Sequence, residues 1–310
     1  MKKGTATVVK NAGSHYLLAE LPAWELFPAV LRGKIRLKQS RITNPVAVGD
    51  RVEYIWEDGE ELAVIDSILP RENYLIRRSA NLSREAHIIA ANIDRVYIIV
   101  SLFFPEVKLP FLDRILVTCG VYGIPATIVL SKTDMYREEF PEEIASFKDI
   151  YSKAGYPVLE TSARTGEGVD WLREACCGKV NLFSGESGVG KSSLIKALDP
   201  SLDPKIGEIS SVHLQGKHTT SLYEMYRLAS GGYIIDSPGI RGFGLVDLEP
   251  EEISKYFPEM LAASRECRFT PCTHTHEPGC AVKAAVEEGI IAPERYNSYL
   301  GMLEEDKKFR

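Results

Sequence analysis

The sequence has few cysteines, no long apolar run and no excess of positive charge. Six cysteines among 310 residues are too few for the disulfide scaffold of a secreted domain. No stretch approaches the roughly 18 consecutive apolar residues of a membrane span, and the first residues lack the apolar core of a signal peptide. We therefore expect a cytoplasmic protein without a membrane segment. The net charge of −6 argues against a protein that coats nucleic acid over its whole surface.

The composition, with 45% hydrophobic and 26% charged residues, is typical of a folded globular protein. Changes in the pattern along the chain predict a multidomain protein of four parts. Residues 1–70 predict a small all-β barrel and residues 71–91 a linker. Residues 92–246 predict an α/β domain, and residues 247–310 predict a helical module.

The first part contains short β-type segments separated by turn signals, which predicts an OB-like barrel of five strands. In its third strand basic residues recur at every second position, so all four cations face one side. A solvated edge strand explains this stripe, but we favour an RNA-binding face because small five-stranded barrels commonly bind oligonucleotides. The strands are predicted at residues 5–10, 15–20, 30–37, 51–56 and 63–68, and the basic stripe consists of Arg32, Lys34, Arg36 and Lys38.

The third part alternates compact apolar segments with helix-like segments, the pattern of a parallel sheet covered by helices. Strands are predicted at residues 96–101, 126–130, 156–159, 180–183 and 233–235. Helices are predicted at residues 112–121, 141–154, 169–176 and 192–198, followed in the last part by helices at 250–263 and from residue 293 onward.

A glycine-rich motif between a strand and a helix matches the phosphate-loop pattern G-x-x-x-x-G-K-[ST]. A chance match in a chain of this length is expected only roughly 0.01–0.03 times. Its backbone N–H groups surround phosphates, Lys191 reaches the outer phosphates, and Ser192 is a ligand for Mg²⁺. The motif comprises Gly185, Glu186, Ser187, Gly188, Val189, Gly190, Lys191 and Ser192, and Ser193 follows it.

Two short motifs that follow earlier strands predict that the base is guanine. The first resembles the N/T-K-x-D signature of GTPases, in which the aspartate accepts hydrogen bonds from guanine N1–H and the 2-amino group. The second resembles the companion loop whose backbone contacts the base carbonyl. A surface turn alone explains the first tetrapeptide, but the phosphate loop makes the guanine interpretation stronger. The motifs are Ser131, Lys132, Thr133 and Asp134, and Thr161, Ser162 and Ala163.

A third motif, Asp236-Ser237-Pro238-Gly239, resembles the DxxG element of GTPases, in which Asp236 faces Mg²⁺ and Gly239 senses the γ-phosphate. Thr219 or Thr220, in the polar stretch before it, is the candidate switch threonine. Many GTPases place a water-orienting glutamine directly after DxxG, but this chain has Ile240. His218 is our candidate for the substitute, against the alternative of an exposed loop histidine.

The order of these motifs differs from that of conventional GTPases. Here the base reader and its companion loop precede the phosphate loop and DxxG, so the chain is a circular permutation. Such a rearrangement is physically allowable because the termini of compact domains often lie close together at the surface.

Three cysteines and a histidine in the last part have the spacing Cys-x4-Cys-x-His-x5-Cys, which predicts a closed, structural zinc site. Unrelated buried cysteines are one alternative, and a site that uses His276 in place of the first histidine is another. The predicted ligands are Cys267, Cys272, His274 and Cys280.

The barrel with R-G-K at residues 32–34 and V-G-D-R-V at residues 48–52, the permuted core and the cysteine module together resemble the bacterial small-subunit-dependent GTPases, the RsgA or YjeQ family. The resemblance implies GTP hydrolysis to GDP and phosphate, stimulated by the small ribosomal subunit. It also implies a role in late maturation of that subunit, an RNA-binding barrel, and Mg²⁺ with GTP. Ser131 departs from the commoner Asn or Thr of the base reader.

Two other functions remain open. One is a permuted GTPase that acts on the large subunit, against which the barrel and the cysteine spacing count. The other is a zinc-stabilised RNA-binding module that uses GTP only as a regulatory ligand. In each case we expect a monomer.

Overall fold

Five strands between Lys2 and Ile68 form a closed barrel. The structure is a computed structural model that describes residues 1–33, 44–78, 86–202, 223–237 and 248–308. The strand order is β1-β2-β3-β5-β4, β4 pairs back onto β1, and β3 runs parallel to β5. This is the five-stranded OB arrangement that the sequence predicted. The strands are β1 Lys2–Ala12, β2 His15–Glu20, β3 Glu25–Leu31, β4 Arg51–Trp56 and β5 Ala63–Ile68.

The predicted third strand ends earlier than expected. The strand prediction for residues 30–37 is wrong at Arg32 and Gly33, because β3 stops at Leu31. The backbone N–H of Arg32 still donates to Ile65 O, while its guanidinium pairs with Asp66. Glycine has no side chain to pack and weakens a strand at this position. Lys34, Arg36 and Lys38 lie outside the described residues.

The central domain is a sheet in which five strands are parallel. Its order is β10-β9-β8-β11-β13-β12, and only β12 runs antiparallel to its neighbour β13. The inner strands β8, β9 and β11 are buried on both faces, as their composition predicted, whereas the edge strand β10 is half-buried. The strands are β8 Arg95–Val100, β9 Ala126–Leu130, β10 Val158–Glu160, β11 Val180–Gly185, β12 Glu224–Arg227 and β13 Tyr233–Asp236. The helices that follow four of them are α1 Leu109–Val121, α2 Pro141–Lys153, α3 Val169–Cys176 and α4 Lys191–Leu198.

The barrel and the central domain share one continuous sheet. Lys10 of β1 pairs with Glu224 of β12, and the Lys10 ammonium lies 2.9 Å from the Glu224 carboxylate. The Trp24 ring stacks on Tyr233, with the ring centroids 5.4 Å apart. The barrel therefore contacts both strands at the edge of the central sheet.

Residues that the sequence predicted as a linker contain a hairpin. Strands β6 Tyr74–Arg78 and β7 Ala86–Ala91 pair antiparallel in a sheet of their own. Leu75 and Ile89 are buried in the same apolar cluster as β8 and α1. The hairpin is thus packed onto the central domain.

The C-terminal module contains three short helices followed by one helix of 16 residues. The helix predicted at residues 250–263 is divided, because Phe257 adopts an extended conformation before Pro258, as residues before proline do. The module was also predicted without the helix that follows Cys280. Its helices are α5 Pro250–Ile253, α6 Pro258–Ser264, α7 Ala281–Glu287 and α8 Pro293–Lys308.

A buried arginine joins this module to the central domain. Arg295 of α8 is fully buried and donates to Asp113 of α1 at 2.6 Å. It also donates to both carboxylate oxygens of Glu259 in α6, at 2.7 and 3.2 Å. Burial raises the pKa of Asp113 even though Arg295 opposes the shift. One guanidinium therefore pairs with two carboxylates at the joint between the domains, Asp113 in the central domain and Glu259 in the C-terminal module.

None of the helices in the described part of the chain combines the length and the apolar character that a membrane crossing requires.

Candidate nucleotide-binding site and metal centre

The phosphate loop occupies the turn between β11 and α4. Gly188 and Gly190 have φ values of +86° and +93°, a left-handed conformation that favours glycine. Gly190 directly precedes α4, so the positive end of the helix dipole faces the loop. A Cβ atom at Gly185 would lie 2.5 Å from Ile99 O, so only glycine permits this approach to β8. The sequence motif therefore folds into a turn at a helix N-terminus, with Ser187 and Gly188 exposed.

Lys191 of the loop pairs with the aspartate that ends β13. Its side chain is 9% exposed, and its ammonium forms an ion pair with Asp236. Ser192, in the first turn of α4, is half-buried. Next to Asp236, Ser237 donates from its hydroxyl to Phe183 O at 2.8 Å, which fixes the end of β13 against β11. The phosphate loop and Asp236 thus meet at the carboxyl ends of the parallel strands β11 and β13.

The predicted base reader follows β9 and is bonded to the phosphate loop. The Ser131 hydroxyl is 2.5 Å from Val189 O and 2.9 Å from Val100 O. The Lys132 ammonium donates to Gly188 O at 2.5 Å and to Phe104 O at 2.8 Å. Two motifs separated by more than 50 residues are therefore joined side by side.

Asp134 presents its carboxylate at the rim of the site. Its side chain is 9% exposed and accepts hydrogen bonds from the Ser162 hydroxyl at 2.6 Å and from Arg164 Nε at 2.7 Å. The hydrogen bond from Ser162, followed by the one from Arg164, lowers the pKa of Asp134. The residue is therefore an anion that accepts hydrogen bonds at neutral pH.

The predicted companion loop follows β10 and lies next to the base reader. The Thr133 N–H donates to Thr161 O at 3.3 Å, and the Thr161 N–H donates to Leu130 O at 2.7 Å. Thr161 and Ser162 are fully buried, while Ala163 is half-buried. Sequence reasoning missed Arg164, whose contact with Asp134 arises only when the two loops come together.

The structure brings together the predicted residues of the phosphate loop, the base reader, the companion loop and Asp236. All follow the carboxyl ends of parallel strands, where open α/β sheets bind ligands. His218, Thr219, Thr220 and Gly239 lie outside the described residues.

The C-terminal cysteines and one histidine form a compact cluster. The candidate ligand atoms of Cys267, Cys272, His274 and Cys280 all lie within 4.8 Å of one another. His274 Nδ1 is 3.4 Å from Cys280 Sγ and 3.7 Å from Cys267 Sγ. In contrast, His276 is exposed, and its Nδ1 lies 2.9 Å from the Thr275 hydroxyl.

The donor set of this cluster fits a tetrahedral zinc ion. Zn–S bonds of about 2.3 Å place tetrahedral ligand atoms about 3.8 Å apart, close to the 4.0 Å between Cys267 Sγ and Cys280 Sγ. Burial raises the pKa of Cys272 to about 12 and lowers the pKa of His274, so burial favours the neutral form of both side chains. A divalent cation offsets that cost for thiolate ligands.

The order of the nucleotide-site elements along the sheet defines a circularly permuted GTPase fold. The RsgA GTPase family model matches residues 68–246. The chain belongs to the RsgA GTPase family.

Relatives and solved structures extend this similarity over the whole chain. The small ribosomal subunit biogenesis GTPase RsgA of Bacteroides fragilis (strain YCH46) is 48% identical over 305 residues, which cover 98% of each chain. The crystal structure of YjeQ from Thermotoga maritima is 33% identical, covers 98% of each chain and has a TM-score of 0.78. The structure of YloQ, described as a circularly permuted GTPase, is 25% identical, with coverages of 100% and 96% and a TM-score of 0.72. The predicted family, permuted core and GTPase activity are confirmed.

Proposed function

We propose that this chain hydrolyses GTP during late maturation of the small ribosomal subunit and that the subunit stimulates the reaction. The observation that carries the proposal is the direct bonding of the base reader to the phosphate loop by Ser131 and Lys132. It supports a single pocket for a guanine nucleotide despite the permuted order. The name of the B. fragilis relative supports the ribosomal role.

In this pocket the phosphates bind to the N–H groups of residues 185–193, and Lys191 compensates their charge. Lys191 forms an ion pair with Asp236, so the two charges compensate each other in the pocket. Magnesium supplies charge stabilisation at the phosphates when bound, and Ser192 and Asp236 are the residues that would hold it. Asp134 reads the base, because only guanine offers its carboxylate two donors.

The cysteine cluster would hold one zinc ion through Cys267, Cys272, His274 and Cys280. Four protein ligands close the coordination sphere, which supports a structural role. The zinc then stabilises the loop between α6 and α7 beside the joint formed by Arg295. We expect the protein to act as a monomer in the cytoplasm.

Phosphate release from GTP tests the function. The assay compares small subunits, large subunits and protein alone, with ATP in place of GTP as the base control. Stimulation by small subunits only supports the proposal. Stimulation by large subunits would assign the protein to that subunit, and no turnover under any condition would leave GTP as a regulatory ligand.

We propose His218 as the residue that orients the attacking water, because Ile240 follows the DxxG motif. His218→Ala is expected to lower subunit-stimulated turnover by about 10²-fold while GTP affinity changes little. Single-turnover hydrolysis and equilibrium binding measure the two quantities, with His15→Ala in the barrel as the matched control. Unchanged stimulated turnover would remove His218 from the mechanism.

The basic stripe predicted at Arg32, Lys34, Arg36 and Lys38 begins just after the end of β3 and is the proposed rRNA contact of the barrel. Reversing the first three to Glu is expected to weaken subunit association and to flatten its salt dependence, because fewer phosphate contacts release fewer counterions. GTP binding to the isolated protein serves as the control and should not change. An unaltered salt slope would show that the stripe is only a solvated surface.

A further inference from the structure

The connection between β8 and α1 runs along the phosphate loop. Residues 101–108, which we term the strap, start where β8 ends and lead into α1. Pro105 and Val107 of the strap line a narrow cleft together with Glu186 and Val189 of the phosphate loop. The strap is therefore a wall of the phosphate-loop region.

The strap is attached to the site at Phe104. Its carbonyl oxygen accepts a hydrogen bond of 2.8 Å from the Lys132 ammonium. The same ammonium donates to Gly188 O in the phosphate loop. Lys132 thereby holds the backbone of residue 104 close to the phosphate loop.

Phe104 combines an unfavourable backbone conformation with an exposed aromatic side chain. Its φ of +58° lies in the left-handed region, which is unfavourable for an aromatic side chain. The residue is 75% exposed, more than any other large hydrophobic residue in the described part of the chain. The preceding residue, Phe103, packs inward instead. Its ring centroid lies 4.4 Å from that of Phe140 and 5.7 Å from that of Tyr136. Phe103 holds the strap in place, while Phe104 is directed outward.

We infer that the Phe104 ring packs against the nucleoside of the bound nucleotide and contributes to its affinity. This inference rests on the proposed function. A nucleotide with phosphates on residues 185–192 and its base at Asp134 places its sugar beside Lys132, where the backbone of Phe104 is held. An aromatic ring covers the apolar face of a sugar or base well and loses little conformational entropy in doing so. The bound nucleoside would then cover an apolar surface that the free protein leaves in water.

Isothermal titration with magnesium and GDP or GTP tests the contact. Burial of about 50 Å² of the ring corresponds to about tenfold in affinity, so Phe104→Ala is expected to raise both dissociation constants about tenfold. GDP and GTP should be affected equally because they share the nucleoside. Phe104→Leu should retain most of the affinity. Ile290→Ala is the matched control, since Ile290 is 60% exposed in the C-terminal module and should leave both constants unchanged.

Phe104→Trp provides a readout that a purely structural role would not change. Indole emission is expected to shift when saturating GDP is added, against a wild-type background from the three native tryptophans. Unchanged GDP affinity in Phe104→Ala would overturn the inference, including the case where association with small subunits becomes weaker. If Phe104→Ala binds GDP more weakly but the indole emission of Phe104→Trp does not respond to GDP, the ring affects binding only through the strap. That result would also overturn the inference. If the wild-type protein binds neither GDP nor GTP, the proposed function fails instead.

Discussion

At the scale of the residue, Ser131 shows how one side chain joins distant motifs. GTPases commonly have Asn or Thr at this position, and the sequence alone gives no reason for serine. In the structure the small hydroxyl reaches Val189 O of the phosphate loop. Tyr136 donates to Ser131 O at 2.5 Å and so fixes the backbone of the same residue. Serine therefore retains the link between the base reader and the phosphate loop.

Base specificity should depend on Asp134. We expect Asp134→Asn to weaken GTP binding by about 10²-fold or more, because the amide cannot accept both guanine donors as a carboxylate does. Xanthosine triphosphate should gain relative affinity, since xanthine carries a carbonyl where guanine carries its amino group. Competition binding with the two nucleotides measures the change in preference.

Arg164→Ala is the matched control for this variant. It removes an exposed partner of Asp134 but leaves the carboxylate and the Ser162 hydrogen bond in place. Because surface ion pairs contribute little, its GTP affinity should stay within about threefold of wild type. An Asp134→Asn protein with unchanged preference for GTP would show that the base is read elsewhere.

At the scale of the element, α8 is held to α1 and α6 by Arg295. Its guanidinium also lies over the Phe257 ring, 4.5 Å from the ring centroid. Arg295→Met keeps much of the volume but leaves Asp113 and Glu259 buried without their cation. We expect a loss of about 3–5 kcal/mol in the free energy of unfolding, measured by urea denaturation.

The exposed Arg268 provides the comparison for this joint. Arg268→Met removes a cation that lies over the Phe269 ring at the surface and should cost less than about 0.5 kcal/mol. If Arg295→Met destabilised the protein as little as Arg268→Met, one of the two buried carboxylates would have to become protonated in the variant. Asp113 is the candidate, since burial already raises its pKa.

Elements with a clear hydrophobic pattern were predictable, and context-dependent ones were not. The four helices of the central domain appear within a few residues of their predicted positions because each has an amphipathic or apolar pattern of at least two turns. Strand β12 has only four residues, and α7 has seven. These two elements take their conformation from the sheet edge and from the cysteine cluster to which they are attached.

At the scale of the whole molecule, the barrel and the C-terminal module are both attached to the central domain, the barrel through a continuous sheet. The barrel is joined to the central sheet through β1 and β12, and the C-terminal module is joined through α1 and α8. The two attachments lie on separate elements of the central domain. Each flanking module can therefore be perturbed by substitution without breaking the other contact.

Zinc should determine whether the C-terminal module is folded. Cys272→Ser removes one of four ligands, and we expect zinc affinity to fall by about 10²–10³-fold and the module to melt at lower temperature. Metal content by mass spectrometry and thermal unfolding measure the two effects. Cys177→Ser is the control, because Cys177 is exposed and donates to Ser230 O outside the cluster. Full zinc content in Cys272→Ser would exclude this cysteine as a ligand.

The sequence by itself determined the modules, the permuted motif order and the spacing of the cysteines, because local patterns and short motifs carry that information. Only the tertiary structure decided that β3 ends at Leu31, that residues 71–91 contain a packed hairpin, and that His274 joins the cysteines while His276 is exposed. It also decided the contacts of Ser131, Arg164 and Phe104 with the nucleotide site. These depend on loops from different strands meeting at one edge of the sheet, and no local pattern encodes that distance.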